Sequence, residues 1–420
     1  MKLTTLILAF SISGLKIFGQ TWENVGEGLD DNVYDLHKFN DKLYAGGRMG
    51  VKFWNDTSWT SLPDPYGIAT PLTFATYKDT IYVGGDFPYT GSISHVYKFD
   101  GASWIQVGGD FDEEYWSSTK RLLTYNDQLI SGGHYTSING AAIYNISSWN
   151  GSTWSSLGEG LNGPVWNLAE HNGDLYASGD FISSGIDSTI KHIAKWNGTN
   201  WSALDPSHSF NSAGDMISFD SLLIIGNVWD TIAGNPMSGI AVWNGTSFIS
   251  WGNNLIKSIN NFWVFNNELF LCGKIFTLNP NDYANVVLKW NNFFWEQVGL
   301  DFDQPVLTVD DFNNQLFCGG FYEDPALYVA KLDITTDISE FSQEIKFQFY
   351  PNPAHDYVDF ITSNRGSLTI TNQIGQFVDV ILITENQTRI STENLSAGIY
   401  FLTFQTENNF ITSKLIIQKM

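Results

Sequence analysis

The sequence predicts an all-β chain, a seven-bladed β-propeller followed by a small Ig-like β-sandwich. Three observations carry this. An anchor aromatic recurs at Trp22, Trp59, Trp104, Trp154, Trp201, Phe248 and Trp295, with spacings of 37, 45, 50, 47, 47 and 47 residues. Each copy holds four strand-like pieces separated by turn dipeptides. The composition, 15% aromatic with 16 Trp and 38 Gly in 420 residues, suits short strands and tight turns better than long helices, which draw on Ala, Leu, Glu and Lys.

The four pieces, termed A, B, C and D, are clearest in the fourth copy at residues 154–158, 165–171, 174–179 and 192–196. Between B and C stand Asn40-Asp41, Lys78-Asp79, Asn126-Asp127, Asn172-Gly173, Asp220-Ser221, Asn266-Asn267 and Asn313-Asn314. Asn, Asp and Gly tolerate the positive φ of a type I′ hairpin. A second set joins D to the next A: Asn55-Asp56, Asp100-Gly101, Asn150-Gly151, Asn197-Gly198, Asn244-Gly245 and Asn291-Asn292. Some of these read as glycosylation sequons, Asn197-Gly198-Thr199 among them, but a hairpin turn explains the same residues. Strand C repeats a glycine pair, as in Leu43-Tyr44-Ala45-Gly46-Gly47 and Ile81-Tyr82-Val83-Gly84-Gly85. Such glycines mark close backbone approach, expected near a propeller's crowded axis.

Four antiparallel strands in about 45 residues match a propeller blade. β-Solenoid coils are shorter and sandwich units longer. Because D always meets the next A through a tight turn, the first A (22–25) and the last D (328–332) lack hairpin mates and are predicted to pair, closing the ring. All tight turns then fall on one rim. The variable A–B and C–D connections fall on the other, where binding residues are expected.

The repeats resemble those of secreted bacterial propellers and fungal cortical-marker proteins, and the stretch from Trp154 to Trp201 follows that pattern best. After an acidic linker at 334–344 comes a different module. It carries Tyr350-Pro351-Asn352-Pro353 with Asp356, then Ile374-Gly375-Gln376, then Leu395-Ser396-Ala397-Gly398-Ile399-Tyr400, and finally Lys414-Leu415-Ile416-Ile417 with Lys419. Residues 345–420 thereby resemble the type A sorting domain of type IX secretion cargo in Bacteroidota. The resemblance implies that the secretion machinery is a partner and that the protein is released or attached at the outer surface. By themselves these residues also fit a small sandwich that ends a protein.

The N-terminus reads as a signal peptide over residues 1–19. Lys2 is followed by an apolar run too short to span a membrane, and Ile17 and Gly19 suit a peptidase site before Gln20. The propeller then occupies 20–333, and no later segment is long and apolar enough to cross a membrane. Loss of Lys2 and Lys16 takes the net charge from −23 to −25, which speaks against nucleic acid and anionic membrane as partners, since both are polyanions. Cys272 and Cys318 fall one position apart in the repeat register, on opposite sheet faces, so free buried thiols are expected rather than a disulfide.

Function is sought where copies differ. The residue after the strand C glycines reads Arg48, Asp86, His134, Asp180, Asn227, Lys274 and Phe321. Seven unlike side chains around an axis would form a polar ring at a channel mouth. The same position read blandly is an ordinary exposed strand end. An irregular loop adds Asp112, Glu113, Glu114 and Trp116, able to hold a cation or act as a carboxylate pair, though an acidic run is commonly only a solvated loop. Sialidase chemistry needs three arginines, and the repeats hold only Arg48 and Arg121. His134, His171 and His192 lack metal-ligand spacing, no GxSxG, HExxH or P-loop is present, and no cofactor is implied. Two readings follow: non-catalytic recognition of a glycan or protein, or a polysaccharide-acting enzyme using the acidic rim residues.

Overall fold

The computed structural model describes residues 20–63, 70–87, 95–111, 117–205, 210, 213–232, 235–250, 256–276, 283–291, 295–333, 347–372, 377–405 and 410–419. The predicted signal peptide 1–19, the predicted linker 334–344 and the cluster Asp112, Glu113, Glu114 and Trp116 lie outside these residues. Among the described residues there is no helix long and apolar enough to cross a membrane.

The larger unit, residues 21–290 and 298–334, is a seven-bladed β-propeller. Each four-stranded sheet runs B, C, D and then A of the next copy. The first is Val33–Phe39, Lys42–Gly47, Gly50–Trp54 and Trp59–Ser61. The B strands are innermost, each packing on the next: Val33–Phe39, Pro71–Tyr77, Ser118–Tyr125, Val165–His171, Met216–Phe219, Ile256–Phe265, Val306–Phe312 and back to the first. The axis is therefore lined by B, and the glycine pair of C lies one strand outward. Close approach is still its cause. A β-carbon on Gly47 would overlap the carbonyl of Asn32 at the entry to its own B strand, and one on Gly46 would press on the ring of Phe74 in the next blade.

All seven B–C turns place both residues at positive φ, from Asn40 and Asp41 at 46° and 55° to Asn313 and Asn314 at 48° and 61°, as the turn chemistry predicts. The D–A turns differ. At residues 55–58, 100–103, 150–153, 197–200 and 244–247 they are four-residue turns in which the leading side chain accepts two backbone N–H bonds, as Asn197 Oδ1 does from Thr199 (2.9 Å) and Asn200 (2.8 Å). That side chain is committed to the turn. The flanking indoles meet across the hairpin, Trp54 on Trp59 at 5.6 Å and Trp196 on Trp201 at 5.3 Å between centroids.

The ring closes as the turn logic requires. Thr21–Asn24 pairs antiparallel with Val329–Asp333, Trp22 opposite Leu332 and Asn24 opposite Ala330, so the last blade is built from both ends of the repeat region. Anchor tryptophans bond neighbouring blades together. The indole N–H of Trp59 donates to Val25, that of Trp154 to Val107 and that of Trp201 to Leu157, each at 3.0 Å. Both cysteines are free and buried; Cys272 faces Asn261 in its sheet and Cys318 faces Val309, one register step away.

The C-terminal unit is a sandwich of a three-stranded sheet (Phe347–Tyr350, Tyr357–Thr362, Gln387–Ser391) and a four-stranded one (Phe377–Ile383, Gly366–Asn372, Gly398–Gln405, Phe410–Ile417). Val358, Phe360, Leu368, Leu402, Phe404 and Leu415 form its core. The Tyr-Pro-Asn-Pro motif ties down the final strand. Asn352 donates to Lys414 O (2.8 Å) and accepts from Ile416 N (2.9 Å), and Ala354 N bonds Ile416 O at 2.8 Å. Tyr400 donates to Ser396 O at 3.0 Å, and Gly398 opens a strand facing Ile417. Gly375 lies outside the described residues.

Candidate functional site

Each inner strand carries a polar residue interrupting an apolar run, as in Val33-Tyr34-Asp35-Leu36 and Val165-Trp166-Asn167-Leu168. A β-bulge precedes that residue in six copies, shown by register shifts at 33/35, 71/73, 119/121, 165/167, 259/261 and 306/308. Bulges re-aim side chains at barrel rims and next to functional sites. Here they produce two nested sets of side chains.

The first set is a belt around the axis: Asp35, Thr73, Arg121, Asn167, Asp215, Asn261 and Thr308. Its members reach from blade to blade. Phe74 N donates to Asp35 Oδ2 (2.8 Å), Leu122 N to Thr73 Oγ1 (3.2 Å), Phe262 N to Asp215 Oδ2 (2.5 Å) and Val309 N to Asn261 Oδ1 (3.0 Å). Thr308 Oγ1 donates to Asp35 at 3.4 Å, and Asn167 Nδ2 donates to Asp215. Burial pushes the Asp35 carboxyl up to about 6, and the Arg121 guanidinium partly opposes that rise. Asp215 is raised for the same reason, again with Arg121 as the opposing charge. One arginine thus serves two buried acids, while Thr73 and Asn261 satisfy backbone amides.

The second set is formed by the bulged residues, at the variable end of the inner strands. Tyr34 meets Phe321 edge-on at 5.5 Å. Lys120 lies 5.9 Å from the ring of Trp166, which is 39% exposed. Burial lowers the Lys120 pKa, and the charge of Asp86 in the preceding blade opposes this. Asn260 donates to Val306 O at 2.6 Å.

The residues expected to ring the mouth stand just outside this set. The backbone N–H groups of Arg48, Asp86, Asp180 and Phe321 bond the carbonyls of Asn32, Thr70, Pro164 and Pro305 at 3.2, 3.2, 2.9 and 2.9 Å, so four copies share one geometry. Arg48, Asp86 and Asp180 are exposed, and His134 and Lys274 half-buried. Lys274 lies 4.5 Å from the ring of Tyr283. Asn227 does not belong with them. Counted from its hairpin it takes the place of the second glycine, at φ 56°, and its amide donates to Ile259 O (2.6 Å) and accepts from Ile259 N (2.7 Å). The fifth copy keeps only the first glycine of the pair, Gly226, whereas the fourth and sixth keep only the second, Gly179 and Gly273, so a count made from the glycines is displaced in the fifth alone. The base of the acidic loop is fixed by Asn139, which accepts from Asp110 N (3.0 Å) and donates to Gly108 O (2.7 Å). Among the described residues no group of three or more His, Cys, Asp or Glu is placed to hold a metal.

Residues 348–418 match the family described as the secretion system C-terminal sorting domain. The chain thus ends in a type IX sorting domain, which engages the secretion machinery and marks the protein for the outer surface or for release. No curated protein matches the chain. Similar solved structures include the extracellular domain of the putative hybrid two-component system BT4673 from B. thetaiotaomicron, 13% identical with TM-score 0.49, over 92% of this chain and 56% of that one. PorZ, a surface component of the type IX system of Porphyromonas gingivalis, is 12% identical with TM-score 0.44, over 94% of this chain and 60% of its own. BamB from Moraxella catarrhalis is 12% identical with TM-score 0.36, over 73% and 84%. This chain thus spans little more than half the length of the first two. Likenesses this loose carry no functional argument.

Proposed function

We propose that this is an exported propeller that recognises a glycan, without converting it, at the mouth of the axial channel on the variable rim. In this reading residues 1–19 direct entry to the periplasm, 20–333 bind, 334–344 link and 345–420 address the protein to the machinery. The observation that supports recognition is Trp166, an indole left 39% exposed by its bulge, with Lys120 beside it. An exposed aromatic face beside hydrogen-bonding groups suits the apolar faces and hydroxyls of a sugar ring. Arg48, Asp86, His134, Asp180 and Lys274 would supply polar contacts around it.

The test is binding of the mature chain to an array of bacterial and host glycans, with Trp166→Ala in parallel. Wild-type binding that falls at least about tenfold in the variant, at an unchanged melting temperature, supports the reading. Equal binding by both proteins, or hydrolysis of a bound glycan, overturns it.

A further inference from the structure

The opposite rim holds a cavity of about 190 Å3 where the last blade meets the first. Its walls include Trp54 and Phe317, and its rim carries Asn24, Asp56, Gln315 and Lys331. The space equals roughly six water molecules at about 30 Å3 each, the size of a single pyranose ring. It lies at the ring closure, because Asn24 belongs to the strand paired with Val329–Asp333 and Trp54 to the first blade.

Two residues at this junction differ from those where the second blade meets the third. Where the second blade meets the third, Tyr77 ends the B strand and its hydroxyl donates to Asp127 O at 3.1 Å. That hydroxyl lies 3.8 Å from where a β-carbon on Gly151 would stand, closing the equivalent space. Tyr125 reaches Gly173 O of its neighbour in the same way, at 3.0 Å. At the ring closure the corresponding residues are Phe312, without a hydroxyl, and Asp56 in place of the glycine. Asp56 accepts from Asn313 Nδ2 at 3.1 Å, which leaves its carboxylate further acceptor capacity at the rim.

The chemistry of the lining selects the ligand. Trp54 offers aromatic surface, Lys331 donors, Asp56 acceptors, and Gln315 both. Gln315 makes no side-chain hydrogen bond among the described residues. Lys331 is paired with Glu23 at 3.7 Å, and the Asp56 carboxylate, which already accepts from Asn313, keeps an acceptor suited to a sugar hydroxyl. We propose that this cavity binds one neutral pyranose unit of a saccharide, independently of the channel mouth.

The full chain would be titrated with the methyl α- and β-glycosides of glucose, galactose, mannose and N-acetylglucosamine, using saturation-transfer NMR and thermal melts. At least one glycoside should bind saturably and raise the melting temperature with concentration, since it bridges the first and last blades. Phe312→Tyr, which restores the hydroxyl of Tyr77 and Tyr125, should weaken that binding at least about tenfold while the free protein melts unchanged. Asp56→Gly should do the same, and Trp166→Ala should leave this binding intact. The proposal is overturned if none of the glycosides saturates, if binding survives both cavity variants, or if Trp166→Ala alone abolishes it.

Discussion

The indole N–H of Trp22 donates to the carbonyl of Val298 across 2.9 Å, between residues 276 positions apart in sequence. It is the bond that Trp59, Trp154 and Trp201 make to the preceding anchor segment, here spanning the ring closure. Trp22 is 4% exposed and also packs on Phe302 at 5.5 Å. Trp22→Phe should cost about 1 kcal/mol, the net worth of one hydrogen bond, and Trp22→Ala about 3–5 kcal/mol, as for a large core truncation. Urea unfolding followed by intrinsic fluorescence measures both.

The axial belt makes stability depend on pH with a definite sign. Asp35 has a folded pKa of about 6, above its ordinary value of 3.8, because of burial. The folded state therefore binds the proton more tightly, and this contribution is complete below about pH 4 and lost as pH rises through about 6. Asp35→Asn, which can still accept from Phe74 N, should flatten the fall in melting temperature between pH 4 and 7. A parallel fall in both proteins would remove Asp35 as its source.

Arg121 opposes the rise at both Asp35 and Asp215. Arg121→Met should therefore lower stability more at pH 8 than at pH 5, because both acids must then ionise without a nearby cation. Adding Asp35→Asn to that variant should recover part of the loss at pH 8. Melts at the two pH values read this directly.

In the sorting domain Asn352 makes two hydrogen bonds to the final strand. Asn352→Ala should destabilise that domain by about 1–3 kcal/mol and reduce surface delivery, with the propeller's own unfolding transition unchanged. Two-transition calorimetry and fractionation of cells provide the measurements.

Removal of residues 345–420 should leave a folded propeller confined to the periplasm, since no strand of the seven blades comes from that segment. Normal appearance of the truncated chain outside the cell would refute this division of labour.

Blade number, strand order, the B–C turns and the pairing of Thr21–Asn24 with Val329–Asp333 are legible in the sequence because hairpin chemistry is local and the repeat multiplies it. The belt and the bulges are less visible. Their signal, an apolar residue, one of any kind, a polar one and an apolar one, is present in Val33-Tyr34-Asp35-Leu36 and Ile259-Asn260-Asn261-Phe262. Read along one strand, such a polar residue looks like a solvent-facing position. Only closure of the ring turns that face inward and makes Asp35 and Thr308 neighbours. Asn227 shows the complementary difficulty: a count from the glycines misplaces it, whereas its hairpin, Asp220-Ser221, fixes the register.

The shared last blade also sets an order of events during biogenesis. The first propeller strand to emerge, Thr21–Asn24, must wait for residues 329–333 before it has a partner. Until then the nascent protein carries an open edge at each end, visible to proteases and chaperones. The strand that ends the wait immediately precedes the linker and sorting domain. A chain long enough to display its export address has therefore already delivered the strand that locks the ring.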